Sequence, residues 1–280
     1  MNPKLAALLF VPALALHSGE PTLRTETRVE NLAMGSKLWV RQLDGDLEVQ
    51  GWDKPQVSIE AQFHDPSFGA KAELKVRRVA DGLEIEVKRP RIFPFLVVSG
   101  HRGPECRLTL MVPRQLAMEA RTVDGRIRVR DLDGYADLHS VDGGIQVEDI
   151  RGEVHAHAVD GSIQASRLQA RLKGGTIDGG ISLEQVAGGI ELRTVDGKIT
   201  ASGLDGWGEG IYLSTVDGSI HLRLDAAKGQ LDAHCADGRI HLANQAVQVQ
   251  ETRGNSLKGR IPGREQSISL RTVDGEIRID

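Results

Sequence analysis

The stretch Val123-Asp124-Gly125-Arg126-Ile127 recurs along the chain and decides the fold. Its aspartate returns at 18-residue intervals at Asp142, Asp160, Asp178 and Asp196, and then after 21, 20 and 37 residues at Asp217, Asp237 and Asp274. A fixed period near 20 residues is typical of solenoid proteins, in which each repeat forms one coil of a continuous stack. The repeat therefore predicts the architecture before any other feature is considered.

The residues after each aspartate alternate between apolar and polar, which predicts half-buried strands. Isoleucine stands three residues after every aspartate of the series, and Val, Ala, Leu or Ile stands five residues after it. Polar residues such as Arg128 and Gln146 separate them. Because the side chains of a strand point alternately to its two faces, the isoleucines should form an inward column, and β-branched residues suit such a pleated surface.

A second glycine phrase predicts a second corner in each coil. It reads Leu132-Asp133-Gly134 in one coil and Leu204-Asp205-Gly206 in a later one. Glycine permits the positive φ that a tight corner needs. We therefore predict an all-β fold, a flattened parallel β-solenoid with coils of about 18–21 residues, whose hydrogen bonds connect coils ~4.8 Å apart.

The N-terminal residues resemble a secretory signal peptide. Lys4 precedes the apolar run from Leu5 to Leu16, and Ala13-Leu14-Ala15 resembles a cleavage site. The run is too short to span a membrane, so we expect an exported protein of the periplasm or the cell surface that does not span the membrane. The chain is then divided into a signal peptide at 1–16, an irregular lead-in at 17–35 and a single solenoid domain at 36–280.

Two segments depart from the period. Residues 63–104 form a non-repeating excursion, in which alternating apolar residues on both sides of Asp81-Gly82 predict a β-hairpin. Residues 244–272 contain Leu257-Lys258-Gly259-Arg260-Ile261, which we interpret as a degenerate coil with lysine in place of aspartate. Residues 268–280 should then form an open edge. Self-association through this C-terminal coil is a further hypothesis, although outward charges discourage pairing of edges.

The two cysteines, Cys106 and Cys235, should not form a disulfide. Counting coils places them six steps apart, or about 29 Å, whereas a disulfide requires Cα atoms within ~7 Å. Cys235 occupies a column that Thr, Ser and Ala fill in other coils. We predict two separate buried thiols.

Composition and polar clusters limit the function. A formal net charge of -4 argues against nucleic acid, which requires a concentrated basic face. The aspartates should bond backbone N–H groups at their corners, and a row of divalent cations is the alternative. The repeat also places Asp137, His139, His155 and His157 on neighbouring outward positions, where a zinc or copper site is the alternative to a solvated surface. No cofactor is expected.

The repeat resembles a known family in several motifs. These are Leu43-Asp44-Gly45-Asp46-Leu47, Gly51-Trp52-Asp53, the Leu-x-Leu-x-Val-Pro strand at 108–113, the Thr-Val-Asp-Gly-x-Ile coils and the phrase at 257–261. They are similar to those of an adhesin-like bacterial β-solenoid family, a domain of unknown function. The resemblance covers roughly 36–280. It implies an exported or envelope-associated bacterial protein, with some relatives tied to envelope stress, and it brings no catalytic residues.

These observations favour a non-catalytic binding or scaffold protein of the cell envelope, whose partner is another envelope protein or a surface polymer. An enzyme that acts on polysaccharide with a β-helix scaffold is the alternative. It would need a local, non-repeating cluster of acids or bases, whereas the acids here repeat in every coil. Trp207, in the enlarged coil around 203–210, is the best single candidate for a contact residue.

Overall fold

The described part of the chain forms twenty β-strands. A computed structural model describes residues 22–42, 44–65, 72–88, 105–225, 227–263 and 266–280. These residues contain no α-helix. The described ranges accordingly offer no helix of the length and apolarity that a membrane crossing requires. The predicted signal peptide at 1–16 lies outside the described residues.

The strands form an N-terminal group, a regular body and a C-terminal group. The N-terminal group is β1 (Thr22–Asn31), β2 (Lys37–Arg41), β3 (Leu47–Trp52), β4 (Gln56–Asp65), β5 (Glu73–Val79), β6 (Gly82–Lys88) and β7 (Glu105–Pro113). The body is β8 (Gln115–Asp124), β9 (Ile127–Asp142), β10 (Ile145–Asp160), β11 (Ile163–Asp178), β12 (Ile181–Ala187), β13 (Ile190–Asp196), β14 (Ile199–Ser202), β15 (Ile211–Asp217) and β16 (Ile220–Leu222). The C-terminal group is β17 (Gly229–Leu242), β18 (Gln248–Arg253), β19 (Ser256–Ile261) and β20 (Ser267–Ile279).

Successive coils of the body pair in parallel and in register. Ile145 of β10 pairs with Ile127 of β9 on one side and with Ile163 of β11 on the other. These isoleucines are at most 1% exposed, so each contributes about 1.5–3 kcal/mol of burial free energy to folding. The parallel β-solenoid predicted from the repeat is therefore confirmed.

The glycines at the aspartate corner are required by close packing of the backbone. A Cβ atom on Gly161 would lie 2.0 Å from the carbonyl oxygen of Gly143, in the preceding coil. The φ angles of these two glycines are not in the left-handed region. Lack of space, more than positive φ, therefore excludes other residues from this corner in the body.

At the second corner, glycine supplies a positive φ in two coils, at Gly152 (114°) and Gly188 (132°), as predicted, but a non-glycine residue of the same corner is also left-handed. Asp131, Asp149, Arg167 and Gln185 have φ angles of 61°, 54°, 52° and 54°. Aspartate tolerates this region better than most residues. At Arg167 a bidentate ion pair with Asp149 of the preceding coil, with both N–O distances 3.0 Å, holds the side chain in place.

At the N-terminal end, an early coil is inserted inside a later one. The inner N-terminal coil consists of β2 and β3, and the outer N-terminal coil consists of β6 and β7. β2 lies between β6 and β8, and β3 lies between β7 and β9, all in parallel. The predicted hairpin of β5 and β6 is confirmed. However, β6 is also part of the solenoid, so the excursion at 63–104 is not wholly outside the repeat.

The C-terminal end has the same arrangement in reverse. The inner C-terminal coil is β20, which pairs with β15 and β16 on one side and with β17, the outer C-terminal coil, on the other. The prediction of an open edge at 268–280 is therefore wrong, because β20 is filled on both sides. The prediction of a degenerate coil at 257–261 is also wrong. β19 is antiparallel to β17, and Lys258 pairs with Asp232 rather than with an aspartate of the repeat.

Two other predictions concern the lead-in and the cysteines. Residues 22–31 are not irregular but form β1, which is antiparallel to β4. Leu23 and Val29 are exposed, so β1 lacks the alternation by which a strand is recognised. Both cysteines are buried and no disulfide joins them, as predicted. They are nine coil steps apart, or about 43 Å, because the inserted coils lengthen the stack.

Candidate binding groove

The alternation of each coil leaves one apolar residue outside, directly before the aspartate. The valine column consists of these residues, which are 38–49% exposed: Val123, Val141, Val159, Ile177, Val195, Val216 and Val273. The preceding residue points inward. Thr176 donates its hydroxyl hydrogen bond to the carbonyl oxygen of Gly161 at 2.9 Å, and Cys235 takes the equivalent place against Gly275 at 3.1 Å. The column of buried hydroxyls therefore fixes the direction of the exposed valines.

The valine column borders a concavity in the N-terminal half, which we call the corner groove. Its volume is about 670 Å³. It crosses five adjacent strands, β6, β2, β8, β9 and β10, a distance of about 19 Å at the ordinary strand spacing. It is lined by Arg41, Gln42, Glu86, Val87, Lys88, Arg121, Thr122, Val123, His139, Ser140, Val141, His157, Ala158 and Val159.

The repeat places a different chemistry on each part of the groove. One wall is the valine column at Val123, Val141 and Val159. The floor consists of the inward-pointing residues directly before these valines, Thr122, Ser140 and Ala158. The opposite wall consists of the outward residues two places before the valines, Arg121, His139 and His157. Apolar, small polar and basic side chains thus run side by side across the strands. Most ligand pockets of proteins have volumes of roughly 300–1,000 Å³ and combine apolar walls with a few placed polar groups.

The permanent charges of the groove lie at one end. Arg41 and Arg121, of β2 and β8, share one wall with His139 and His157 of the following coils. On β6 this register is occupied by Glu86, and Lys88 lies two residues further on, level with the valine column. Each cation pairs with a glutamate: Arg41 with Glu84 at 3.6 Å, Lys88 with Glu86 at 3.2 Å and Arg121 with Glu119 at 2.8 Å. Their side chains are about half exposed, and such exposed pairs are worth only about 0–1 kcal/mol. A ligand anion can therefore compete for these cations.

The four residues of the predicted histidine patch are brought together. His139 pairs with His157 and Asp137 with His155 across β9 and β10. The Asp137 carboxylate lies 3.0 Å from His139 Nε2, and the rings of His139 and His157 stack with centroids 5.3 Å apart. Burial and the neighbouring His139 lower the pKa of His157, so that this imidazole is neutral near pH 7.

These four residues are not arranged around a common metal position. His155 Nδ1 lies 3.2 Å from the Tyr135 hydroxyl, and its Nε2 lies 2.9 Å from Glu153. Both of its nitrogens are thus engaged away from His139. Within the described ranges, no group of three or more His, Cys, Asp or Glu residues could hold a metal ion. Two further histidines, His221 and His241, have equivalent positions in their coils but are separated by Arg278 of the inserted β20.

The aspartates form one continuous row that we call the aspartate ladder. The pairings connect nine residues in the order Asp44, Asp124, Asp142, Asp160, Asp178, Asp196, Asp217, Asp274 and Asp237. Desolvation raises the pKa of Asp142, and the carboxylates of Asp124 and Asp160 raise it further. The pKa of Asp196 is raised for the same reasons, with Asp217 and Asp178 as neighbours. These carboxyls also hydrogen-bond to neighbouring carboxyls, an arrangement that the repeat alone did not predict.

Trp207 is exposed, as its place in an enlarged coil suggests. Its side chain is 50% exposed, its φ is 48°, and its backbone N–H donates to Asp205 at 3.1 Å. It lies outside the residues that line the corner groove. The groove itself was missed from the sequence. The available signal was the alternation, since an inward threonine column implies an outward valine column beside it.

Comparison with known proteins supports the expected family over part of the chain. Residues 169–280 match the family model described as Toastrack DUF4097. The resemblance expected over 36–280 is thus supported for the C-terminal part, and this family has the parallel β-solenoid-like fold seen here. No curated protein matches the chain.

Three solved structures are similar to this chain at low identity. A putative cell adhesion protein from Clostridium sporogenes is 10% identical, over 91% of this chain and 99% of that chain, with a TM-score of 0.33. A putative lipid binding protein from Parabacteroides distasonis is 12% identical, over 91% and 97%, with a TM-score of 0.48. A putative adhesin from Bacteroides fragilis is 13% identical, over 93% and 99%, with a TM-score of 0.40.

Proposed function

We propose that this chain is a non-catalytic binding and scaffold protein, exported to the cell envelope, that recognises its partner through the corner groove. The observation that carries the proposal is the groove itself, where basic residues on β6, β2 and β8 adjoin exposed valines on β8, β9 and β10. A continuous ladder of backbone hydrogen bonds holds these strands, so the groove is preformed. A preformed site reduces the entropy lost on binding.

The alternative of a polysaccharide-cleaving enzyme has less support. Most glycosidases use a pair of carboxylates that flank the scissile bond. Among the described residues that line the groove, Glu86 is the one carboxylate, and it is paired with Lys88. The other regular carboxylates belong to the aspartate ladder, where they contact one another.

The test is cross-linking in living cells, with a photoreactive amino acid in place of Val141. The matched control places it at Val195, which has the same position in its coil, nearly the same exposure (41% and 40%) and no contact with the groove. We expect an envelope component, identified by mass spectrometry, to be captured from Val141 and not from Val195. Equal capture from both positions, or recovery of shortened polysaccharide, contradicts the proposal.

The proposed location has a separate test. Cell fractionation should recover the protein with the envelope, shortened by the 1–16 segment. A protein that retains this segment and is recovered with cytoplasmic markers would contradict export, whatever the outcome of cross-linking.

A further inference from the structure

The distribution of charge along the corner groove distinguishes between two kinds of ligand. A polyanion requires cations repeated along its length, whereas an amphiphile requires them at one end only. The permanent cations Arg41, Lys88 and Arg121 are confined to the end formed by β6, β2 and β8. One step further along the stack the same wall carries His139 and then His157, and the position after that is Gly175.

The apolar wall has the opposite distribution. The valine column starts at Val123, beside the cationic end, and continues through Val141 and Val159, where the wall carries no permanent cation. The floor also becomes less polar in this direction, from Gln42 through Thr122 and Ser140 to Ala158. The groove therefore has a basic end and an apolar track that leads away from it.

The width of the track limits the number of chains that it can contact. Each coil contributes one exposed residue to the valine column, because the residues on both sides of it in sequence are an inward threonine and the corner aspartate. The aspartate ladder runs along the far side of the column and repels anionic groups there. Because the ladder runs along the whole column, including Asp44 and Asp124, the cations alone select the end at which an anionic head binds, and one aliphatic chain fits along the column.

We propose that the corner groove binds a single-chain anionic amphiphile, with its head at Arg41, Lys88 and Arg121 and its aliphatic chain along Val123, Val141 and Val159. A carboxylate or a phosphate head meets the same chemistry, since the planar guanidinium of arginine donates paired hydrogen bonds to both. Each of the three cations is held by one glutamate, Glu84, Glu86 or Glu119, in a solvent-exposed pair, so an anionic head binds here by displacing these weak partners. This inference rests on the proposed function and specifies its ligand class.

The test is titration of the purified protein with dodecanoate below its micelle concentration, followed by calorimetry and by methyl NMR of the valines. Butanoate tests the need for the chain, and dodecyltrimethylammonium tests the need for the anion. We expect dodecanoate to bind and to shift Val123, Val141 and Val159. Affinity should increase about two- to fourfold for each added methylene that contacts the column.

The repeat supplies matched control variants. Arg121→Gln removes a groove cation, whereas Arg193→Gln removes the equivalent arginine outside it, and both pair at 2.8 Å with a glutamate two residues earlier. The double variant Val141→Ser and Val159→Ser is matched by Val195→Ser and Val216→Ser, which have similar exposure. We expect a loss of about five- to tenfold in affinity for each groove variant and less than twofold for each control.

Several results would overturn the amphiphile proposal. They are equal binding of dodecyltrimethylammonium, equal losses in groove and control variants, and no binding of dodecanoate at millimolar concentration. If Val141 captures an envelope component but dodecanoate does not bind, the proposed function holds and the amphiphile is rejected. If dodecanoate binds but nothing is captured in cells, the ligand class holds and the proposed function fails.

Discussion

The two ends of the solenoid differ in how completely other strands cover their outer coil. At each end an inner coil is inserted between the body and an outer coil, and antiparallel strands cover the outer coil. At the N-terminal end this cover is complete, because β5 pairs with β6 and β4 pairs with β7. At the C-terminal end, β19 covers only residues Gly229–His234 of β17.

The difference is visible in the burial of the outermost core residues. Leu83, Ile85, Leu108 and Leu110 of the outer N-terminal coil are at most 1% exposed. In the outer C-terminal coil, Ile240 and Leu242 are half-buried, although the same column is fully buried throughout the body. Stacking of coils alone therefore does not bury the core completely at the end of a solenoid. Its last coil needs a cover over each of its strands.

The largest effect is expected from deletion of residues 267–280, which removes the inner C-terminal coil. β17 then loses its parallel partner, and β15 and β16 lose theirs. We expect residues 229–263 to lose almost all hydrogen-exchange protection, while residues 37–113 keep theirs. Exchange measured by mass spectrometry checks this. Protection that persists in 229–263 would show that the outer coil can dock directly on β15 and β16.

Substitution of one corner glycine at each end should distinguish a global loss of stability from a local one. A Cβ atom on Gly45 would lie 2.2 Å from the Cys106 carbonyl oxygen, and one on Gly238 would lie 1.8 Å from that of Gly275. We expect Gly45→Ala to cost about 2–4 kcal/mol in urea unfolding, because its coil is held on both sides. Gly238→Ala should mainly reduce exchange protection within 229–242.

The control for the glycine pair is Gly35→Ala. Gly35 has a φ of 79°, but a Cβ atom added there would have no neighbouring atom within 4 Å, so this change isolates the cost of the backbone angle. If Gly35→Ala is as damaging as Gly45→Ala, close packing between coils is not the cause.

A moderate effect is expected at the uncovered edge. The outward residues Arg239 and His241 are exposed on β17, and charged residues on an edge discourage pairing with another molecule. Arg239→Val with His241→Val should increase self-association in sedimentation experiments. The control, Ser162→Val with Gln164→Val, makes the same surface more apolar on β11, which is paired on both sides. Equal association of the two variants would rule out the edge as the cause.

The smallest effect concerns the aspartate ladder. The folded state raises the pKa of Asp142, mainly through desolvation and the neighbouring carboxylates. The protonated form thus stabilises the fold, fully below the unfolded pKa of about 3.9, and this contribution is lost as the pH rises through the folded pKa. Asp142→Asn should therefore raise the melting temperature at pH 7, with little change at pH 3.

The end of the ladder provides the comparison for this pH effect. Asp237 has one ladder neighbour, Asp274, whereas Asp142 has two. Asp237→Asn should accordingly change the melting temperature less than Asp142→Asn. A larger gain at Asp237 would mean that repulsion along the ladder is not what the substitution relieves.

The body could be predicted from the sequence because every coil repeats the same short pattern of residues. Asp142 and Ile145 occupy the same places in their coil as Asp124 and Ile127, so one alternation repeated at a fixed period defines register, core and corners. The ends could not be predicted in this way. The pairing of β3 with β9, or of β20 with β15, joins segments that are far apart in sequence and leaves no periodic signal.

The candidate site was predicted only in part, for a related reason. The histidine patch follows directly from the period, and its four positions are adjacent as expected. The corner groove also needs Arg41 and Lys88, which reach it because the inner and outer N-terminal coils stack on β8. Lys258 illustrates the converse, since a local match to the repeat was overridden by antiparallel pairing with β17.

The insertion of β20 also sets an order for folding as the chain emerges. Synthesis delivers residues 229–242 before residues 267–279, yet the later segment lies between the earlier one and the body. The outer coil therefore has no permanent place to dock until β20 arrives. A chain interrupted before residue 267 would keep β15, β16 and β17 as unpaired edges, which proteases and chaperones can recognise. Only a chain that has been translated through β20 can therefore bury these edges.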